Sequence, residues 1–444
     1  MEHSGIRLIT DPWLFGTAFD NGWDLLCKSD FSANDFESIT HIWFSHEHPD
    51  HFAPPVLFSI TEDVRKKITV LFQETKDGRV ANFCRKLGFQ VIELANREPL
   101  QLTEGLVMTC GAVRPIDSWL LVETPTTRIL NLNDCIVENK AKALSIKRTV
   151  GEVDILLTQF AYAQWVGNPE DISLLENAKQ EKLERIQIQA GVFKPTWVCP
   201  FASFVRFSHA ENEYLNQGVA TVREAAQVIK ETTEASPLVL YPGDVWVPGE
   251  DWDTEASLEK YDSDYESGNW ELQPAGDSIS VEALQEEASE YLKSARKRGN
   301  PIAMKLWRHR LKKGLGRPLE LSISLFDSDT KLLFDWDVGL SVLKRETKDT
   351  DLSLSSSSLS YILKHEWGFG TVRVNGRYRA TVDGKRLFSL IFPFGTLHSI
   401  GKAMNLRYII TQYVFLILKK LIGRHSIETE EEPSFLGLWR QTPV

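Results

Sequence analysis

The sequence predicts a layered α/β domain followed by a smaller α+β domain, and three observations carry this. Residues 1–245 alternate short apolar runs with amphipathic helical segments, as in a sheet crossed by helices. Residues 246–280 are acidic, polar and poor in aliphatics, which predicts an exposed connection, and residues 281–444 then resume a pattern of helices and strands. With 444 residues, the chain exceeds one ordinary domain and fits two.

Each element has its own signal. IRLIT (6–10) is a strand closed by Asp11, and SITHIWFS (38–45) is a strand that delivers a histidine cluster at its end. APPVLFSITEDVRKK then turns helical. TVLFQ (69–73) and FQVIEL (89–94) flank a helix near GRVANFCRKLG. LVMTCGA, WLLVET and RILNLND follow as three close strands, the last two joined by a tight TPTT turn, and VDILLTQF is a further buried strand. LLENAKQEKLERIQIQAG is an amphipathic helix expected to stop at Gly191. TWVCPF is a strand, and LVLYPGDVWVPG closes the region. Beyond 280, VEALQEEASEYLKSARKRG is a helix and LELSISLFDSDTKLLFDWD an antiparallel hairpin, while SSSSLSYILKHEWGFGTVRVNGRYRA reads as a helix and then a strand.

Composition excludes several classes. A net charge of −11 argues against binding that relies on phosphate neutralisation, so no nucleic-acid partner is expected. The five cysteines are scattered and form no C-x-x-C pair, which fits reduced thiols and a cytoplasmic location. The N-terminus lacks the pattern of a signal peptide. The longest apolar run, Tyr408–Gly423, is too short and interrupted to span a bilayer, so no membrane span is expected.

The chemistry concentrates in FSHEHPDHF, residues 44–52. His46, His48, Asp50 and His51 place four donors within six positions of a chain that has ten histidines. Neutral imidazole and carboxylate suit Zn²⁺, Fe and Mn²⁺. In an extended segment the i, i+2 spacing points the His46 and His48 rings the same way, and Asp50 and His51, past the turn, can face a second metal. Asp11 is a candidate to hydrogen-bond this loop and support it. The Gly-rich stretch around Trp367 and Gly368 reads as a packed turn and not as a dinucleotide fingerprint. His309, His365, His398 and His425 are dispersed and read as structural.

SHEHPDH, with a strand before it and a helix after, resembles the His-x-His-x-Asp-His motif of the metallo-β-lactamase fold, which implies a four-layer αββα domain and two metal ions, Fe or Zn. The resemblance implies further ligands. Asp134, closing RILNLND, takes the position of a carboxylate between two metals, and His209, in VRFSHAENEY, that of the last histidine. Where the family's third motif brings a histidine, this chain has Asp117 or Arg114. A narrower resemblance links DPWLFGTAFDNGW, IWFSHEHPDHF, DSWLLVETPTTRILNLNDC and VCPFASFVRFSHAENEY to the metallo-β-lactamase-like portion of the CMP-N-acetylneuraminate hydroxylase family. That family implies an oxygen-dependent hydroxylase of a nucleotide-linked substrate. Its Rieske cluster needs Cys-x-His pairs, which this chain lacks, so electrons are expected from a separate redox partner. The expected activity is therefore iron-dependent hydroxylation of a small polar or nucleotide-linked molecule, with Asp50 and Asp134 as catalytic residues. The alternatives are hydrolysis of a phosphoester, ester or amide by a metal-bridging hydroxide, and a metal-bearing, non-catalytic partner of a separate oxygenase.

Overall fold

The computed structural model describes residues 1–113, 116–267, 270–302, 304–306, 309, 319–344 and 349–392. Arg114, His398, His425 and the run Tyr408–Gly423 lie outside the described residues. Two compact units emerge. The first holds Met1–Ala163, Asp171–Ser208 and Glu213–Leu272; the second holds Gln164–Glu170, His209–Asn212 and the chain from Gln273 onward.

The first unit runs β1 (Glu2–His3), β2 (Ile6–Thr10), β3 (Trp23–Leu25), β4 (His41–Phe44), α1 (Pro54–Ser59), α2 (Glu62–Arg65), β5 (Thr69–Gln73), α3 (Arg79–Lys86) and β6 (Gln90–Leu94). It continues with β7 (Pro99–Thr103), β8 (Leu106–Val113), β9 (Asp117–Glu123), β10 (Arg128–Asn133), α4 (Lys140–Val150), β11 (Ile155–Gln159), α5 (Ile172–Phe193), β12 (Trp197–Phe201), β13 (Val205–Phe207), α6 (Val222–Thr232), β14 (Ser236–Pro237) and α7 (Thr254–Ser267). One sheet has the order β1-β2-β4-β5-β6, parallel from β2 onward. The other has the order β14-β12-β11-β10-β9-β8-β7, antiparallel up to β10 and parallel beyond.

The period of two along each strand builds the layers. Trp43 and Leu71 of the first sheet meet Met108, Cys110, Leu120 and Val122 of the second in one buried cluster, so the sheets pack face to face. The alternate residues turn outward. Phe44 meets Phe52 edge-on at 5.0 Å, and Phe52 meets Phe83 of α3 at 5.5 Å. On the far side Trp119, Leu121, Leu130, Leu132 and Leu156 pack with Ile146 of α4, Ile186 of α5, Ile229 of α6 and Tyr261 of α7. This is the four-layer αββα arrangement of the metallo-β-lactamase fold. Gly111 faces Trp119 across the β8–β9 pair, and a Cβ there would lie 2.0 Å from the indole ring, so only glycine fits.

Three local expectations differ from the structure. Helix α5 runs past Gly191 to Phe193 and ends at Lys194, which takes the left-handed conformation itself (φ 55°). The acidic stretch is not a bare connection: α7 lies within it and buries Leu258 and Tyr261 in the core, because two apolar side chains three apart share one helix face. Third, the segment read as a helix followed directly by a strand carries a second helix.

The second unit holds α8 (Val281–Arg298), β15 (Glu320–Leu325), β16 (Lys331–Asp335), β17 (Gly339–Val342), β18 (Leu352–Leu354), α9 (Ser356–Lys364), α10 (Gly368–Asn375), β19 (Tyr378–Ala380) and α11 (Val382–Ile391). Its sheet has the order β17-β16-β15-β18-β19, with β15 and β16 forming the expected hairpin. Helix α10 is the unexpected one. Its GFGTVRVN sequence is locally a poor helix former. Tertiary packing overrides this: a Cβ at Gly368 would lie 2.3 Å from the Tyr361 carbonyl of α9. Among the described residues no helix is long and apolar enough to cross a membrane.

Candidate metal centre

The topology gathers the donors at one edge. Strands β2, β4 and β5 are parallel, so Asp11, the loop after Phe44, and Gln73 all emerge at the same end of the first sheet. In the second sheet β9 and β10 are antiparallel, so the start of β9 (Asp117) lies beside the end of β10 (Asn133) and hence beside Asp134.

Strand β4 stops at Phe44, so His46 and His48 sit in a loop and not in the extended segment expected. A turn closes the loop, with the His51 and Phe52 N–H groups both donating to the His48 carbonyl, at 3.0 and 2.7 Å. The rings nevertheless converge. His46 Nε2 lies 2.7 Å from His48 Nδ1, and the His46 and His51 ring centroids are 4.2 Å apart. Asp134 reaches both, with Oδ1 3.8 Å from His46 Nδ1 and Oδ2 3.6 Å from His51 Nε2. Asp50 Oδ2 is 3.1 Å from His51 Nε2, and Asp117 Oδ1 is 3.9 Å from His46 Nε2. His46, His51 and Asp134 each offer one atom within 4.8 Å of the others.

Other groups hold this geometry. Asp11 (φ 44°) accepts from the Ser45 N–H at 2.7 Å and the Ser45 hydroxyl at 2.8 Å, and its Oδ2 lies 3.1 Å from His51 Nδ1. Asn133, also left-handed (φ 53°), donates its amide to Asp11. The Ser45 carbonyl accepts from Ser118 Oγ at 2.6 Å and Gln73 Nε2 at 3.2 Å, which ties the two sheets together beneath the loop. Phe19 stands edge-on to His48, with centroids 5.8 Å apart.

The site has the chemistry of a cation receptor. Asp50 Oδ1 and Asp134 Oδ1 are buried without a hydrogen-bond partner, an arrangement that is costly unless something positive meets them. Burial, reinforced by the nearby Asp134, pushes the Asp117 carboxyl well above the usual carboxylate range. Burial keeps His46 neutral, with His51 and His48 adding to the effect. Burial alone would do the same to His51, but Asp50, Asp134 and Asp11 outweigh it and hold the ring proton well above the ordinary histidine range. A bound metal must displace the protons of His51 and Asp117. The affinity for metal therefore falls as pH falls, with up to about two protons released on filling. Chelator competition across about pH 6 to 8 checks this; an affinity that does not change with pH contradicts it.

Asp11→Ala removes the acceptor that orients both Ser45 and His51. It should lower metal affinity by about 10–100-fold, as loss of a group supporting a ligand does. A chelator titration reads this, and wild-type affinity in the variant would show that the loop holds itself.

Among the expected site residues, His46, His48, Asp50, His51, Asp117 and Asp134 come together. His209 belongs to the second unit. It is buried there with Nε2 3.0 Å from the Pro274 carbonyl, and its Nδ1 accepts from the Glu211 N–H at 3.1 Å. Glu47, inside the motif, pairs with Arg79 at 3.0 Å, and His41 lies 2.9 Å from the Thr40 hydroxyl. Sequence reading missed Ser45, Gln73, Ser118 and Asn133. Their roles come from strand pairing across the two sheets, which leaves no local signal.

No family model matches the chain. It is 26% identical over 229 residues to cytidine monophosphate-N-acetylneuraminic acid hydroxylase of Danio rerio, covering 48% of this chain and 37% of that protein. To the Mus musculus protein of the same name it is 24% identical over 238 residues (48% and 38%). A Homo sapiens protein described as inactive cytidine monophosphate-N-acetylneuraminic acid hydroxylase matches at 26% over 231 residues (48% and 44%). The match thus spans under half the length of these curated relatives. Among solved structures, CmlA, a diiron β-hydroxylase from Streptomyces venezuelae, aligns at a TM-score of 0.38 and 16% identity, covering 54% of this chain and 50% of that one. An isothiocyanate hydrolase from Delia radicum gut bacteria aligns at a TM-score of 0.39 and 14% identity (55% and 93%). The chain has the metallo-β-lactamase fold and is a distant homologue, over about half its length, of the CMP-N-acetylneuraminic acid hydroxylases.

Proposed function

We propose that the chain is a metal-dependent hydroxylase of a small polar or nucleotide-linked substrate, supplied with electrons by a separate redox partner. The ligand set we assign draws on the first unit: His46, His48, His51, Asp50, Asp117 and Asp134, for two metal ions. One observation carries the reading. The three groups whose ligand atoms lie within 4.8 Å are two imidazoles and one carboxylate, the donor set of non-haem Fe(II) oxygenases. Iron held there would supply the activation of O₂ that no side chain can provide.

The remaining work falls to the chain. Asp134 spans His46 and His51, so in this reading it holds the two halves of the site in register. Asp11 and Asn133 fix the His51 ring from behind. Asp50 keeps one oxygen on His51, and its other oxygen, Oδ1, is the buried acceptor left for a metal. Phe19 beside His48 restricts water on that side. The distant homology to nucleotide-sugar hydroxylases supports the substrate class. The five cysteines, none in a disulfide, support a reducing compartment.

The test is reconstitution of the full chain with Fe(II) or Zn(II) under oxygen-free conditions. Each form is then given a reductant and a panel of nucleotide-linked sugars, with ester and phosphodiester hydrolysis measured beside O₂ uptake. The iron form alone should show substrate-stimulated O₂ uptake. Oxygen-independent hydrolysis by the zinc form would replace this reading with a hydrolase. Metal binding with neither activity would leave a non-catalytic partner.

A further inference from the structure

Helix α5 lays one face along the edge where the metal centre sits. Lys182, Arg185 and Gln189 follow at helical spacing and share that face. Both outer members are anchored to the end of β11. Gln189 accepts from Thr158 Oγ1 at 2.5 Å and donates to the Val137 carbonyl at 3.0 Å, and Lys182 Nζ donates to Gln159 Oε1. Thr158 pairs with Asn133 of β10, so the next residue, Asp134, lies alongside.

Arg185, the middle member, is the exception. It is 8% exposed, its Nε is buried without a partner, and its guanidinium makes no hydrogen bond or ion pair among the described residues. Glu138 is within electrostatic reach but is engaged by Lys142 at 2.8 Å. A guanidinium cannot shed its charge, and a buried unpaired one is expensive. Lys182 compounds the problem. Burial and then Arg185 drive its ammonium well below the usual lysine range, offset in part by Asp134, Glu181 and Asp117. Lys182 and Arg185 thus share one helix face, with Glu138, Glu181 and Asp134 within electrostatic reach of Arg185, and Asp134, Glu181 and Asp117 within reach of Lys182.

We propose that Lys182 and Arg185 form an oxyanion-binding subsite beside the metal centre, which receives the phosphate or carboxylate group of the substrate. A guanidinium fork takes two oxygens of such a group at once, and Lys182 Nζ donates an N–H to the third. Assigning this anion to the substrate rests on the proposed function; anion binding itself does not.

The test is calorimetric titration of the full chain with inorganic phosphate and, separately, acetate, with metal content determined on the same samples. Wild type should bind one phosphate. Arg185→Gln and Lys182→Gln should each weaken it by about tenfold or more, the scale of a lost hydrogen bond to a charged group, at unchanged metal content. A larger loss with phosphate than with acetate assigns a phosphate-bearing ligand, and the reverse assigns a carboxylate. If wild type proves metal-free while phosphate binding still depends on Arg185, the metal reading fails and the subsite stands. Wild-type phosphate affinity in the two variants at normal metal content overturns the subsite. Should Arg185→Gln fail to fold, Lys182→Gln alone decides.

Discussion

Asp134→Asn should bind at most one metal per chain and lose turnover by at least about a hundredfold, the scale seen when a directly participating group is removed. Asp134 sends one oxygen toward His46 and the other toward His51, and Oδ1 is buried with no hydrogen-bond partner. Removing a ligand such as His48 touches one end of the cluster, whereas removing this carboxylate touches both. Asparagine keeps the shape and one acceptor, so the metal-free protein should melt close to the wild type. Metal stoichiometry, melting temperature and turnover are read on one sample. Unchanged stoichiometry with near-normal turnover would reduce Asp134 to a strand-end residue.

Trp43→Ala should cost about 3–5 kcal/mol of folding stability, the range for truncating a large buried aromatic. Trp43 is fully buried where the two sheets meet, among Leu71, Met108, Cys110 and Leu120. It also sits two residues before Ser45, whose carbonyl joins the sheets through Ser118 and Gln73. In a unit of this size the melting temperature should fall by about 10 °C. Thermal unfolding of metal-free samples measures this without any contribution from ligand binding. A shift of only a degree or two would mean that the sheets do not depend on this side chain.

His46, His48, Asp50 and His51 declare themselves because metal chemistry needs several donors on one short loop, and that density is visible in a single line of residues. Asp134 and Asp117 needed the resemblance, since a lone carboxylate at a strand end carries no local signal. Asp11 was legible as a carboxylate closing a strand and as a candidate to hydrogen-bond the loop, and it does bond the loop at Ser45. Its role depends on β2 lying beside β4, which places it against Ser45 and His51. Asn133 and Gln73 join the site through pairing between distant segments, and no spacing rule reaches them. Lys182 and Arg185 lie within a segment legible as an amphipathic helix, and the fold turns that face toward the end of β11. Helix α10 was hidden for a different reason. Its glycines and valines argue against a helix in isolation, and the close approach of Gly368 to α9 decides otherwise. Strands such as β5 and β11 came through because apolar runs of that length between turn residues have few alternatives.

The loop after β4 and the end of β10 are proposed to hold a metal centre. The most direct measurement is elemental analysis of the full chain purified without oxygen and without added metal. Two iron atoms per chain are expected, and a His46→Ala, His48→Ala double variant should fold but hold none. A wild-type chain that retains no transition metal and gains none when iron or zinc is supplied would contradict it.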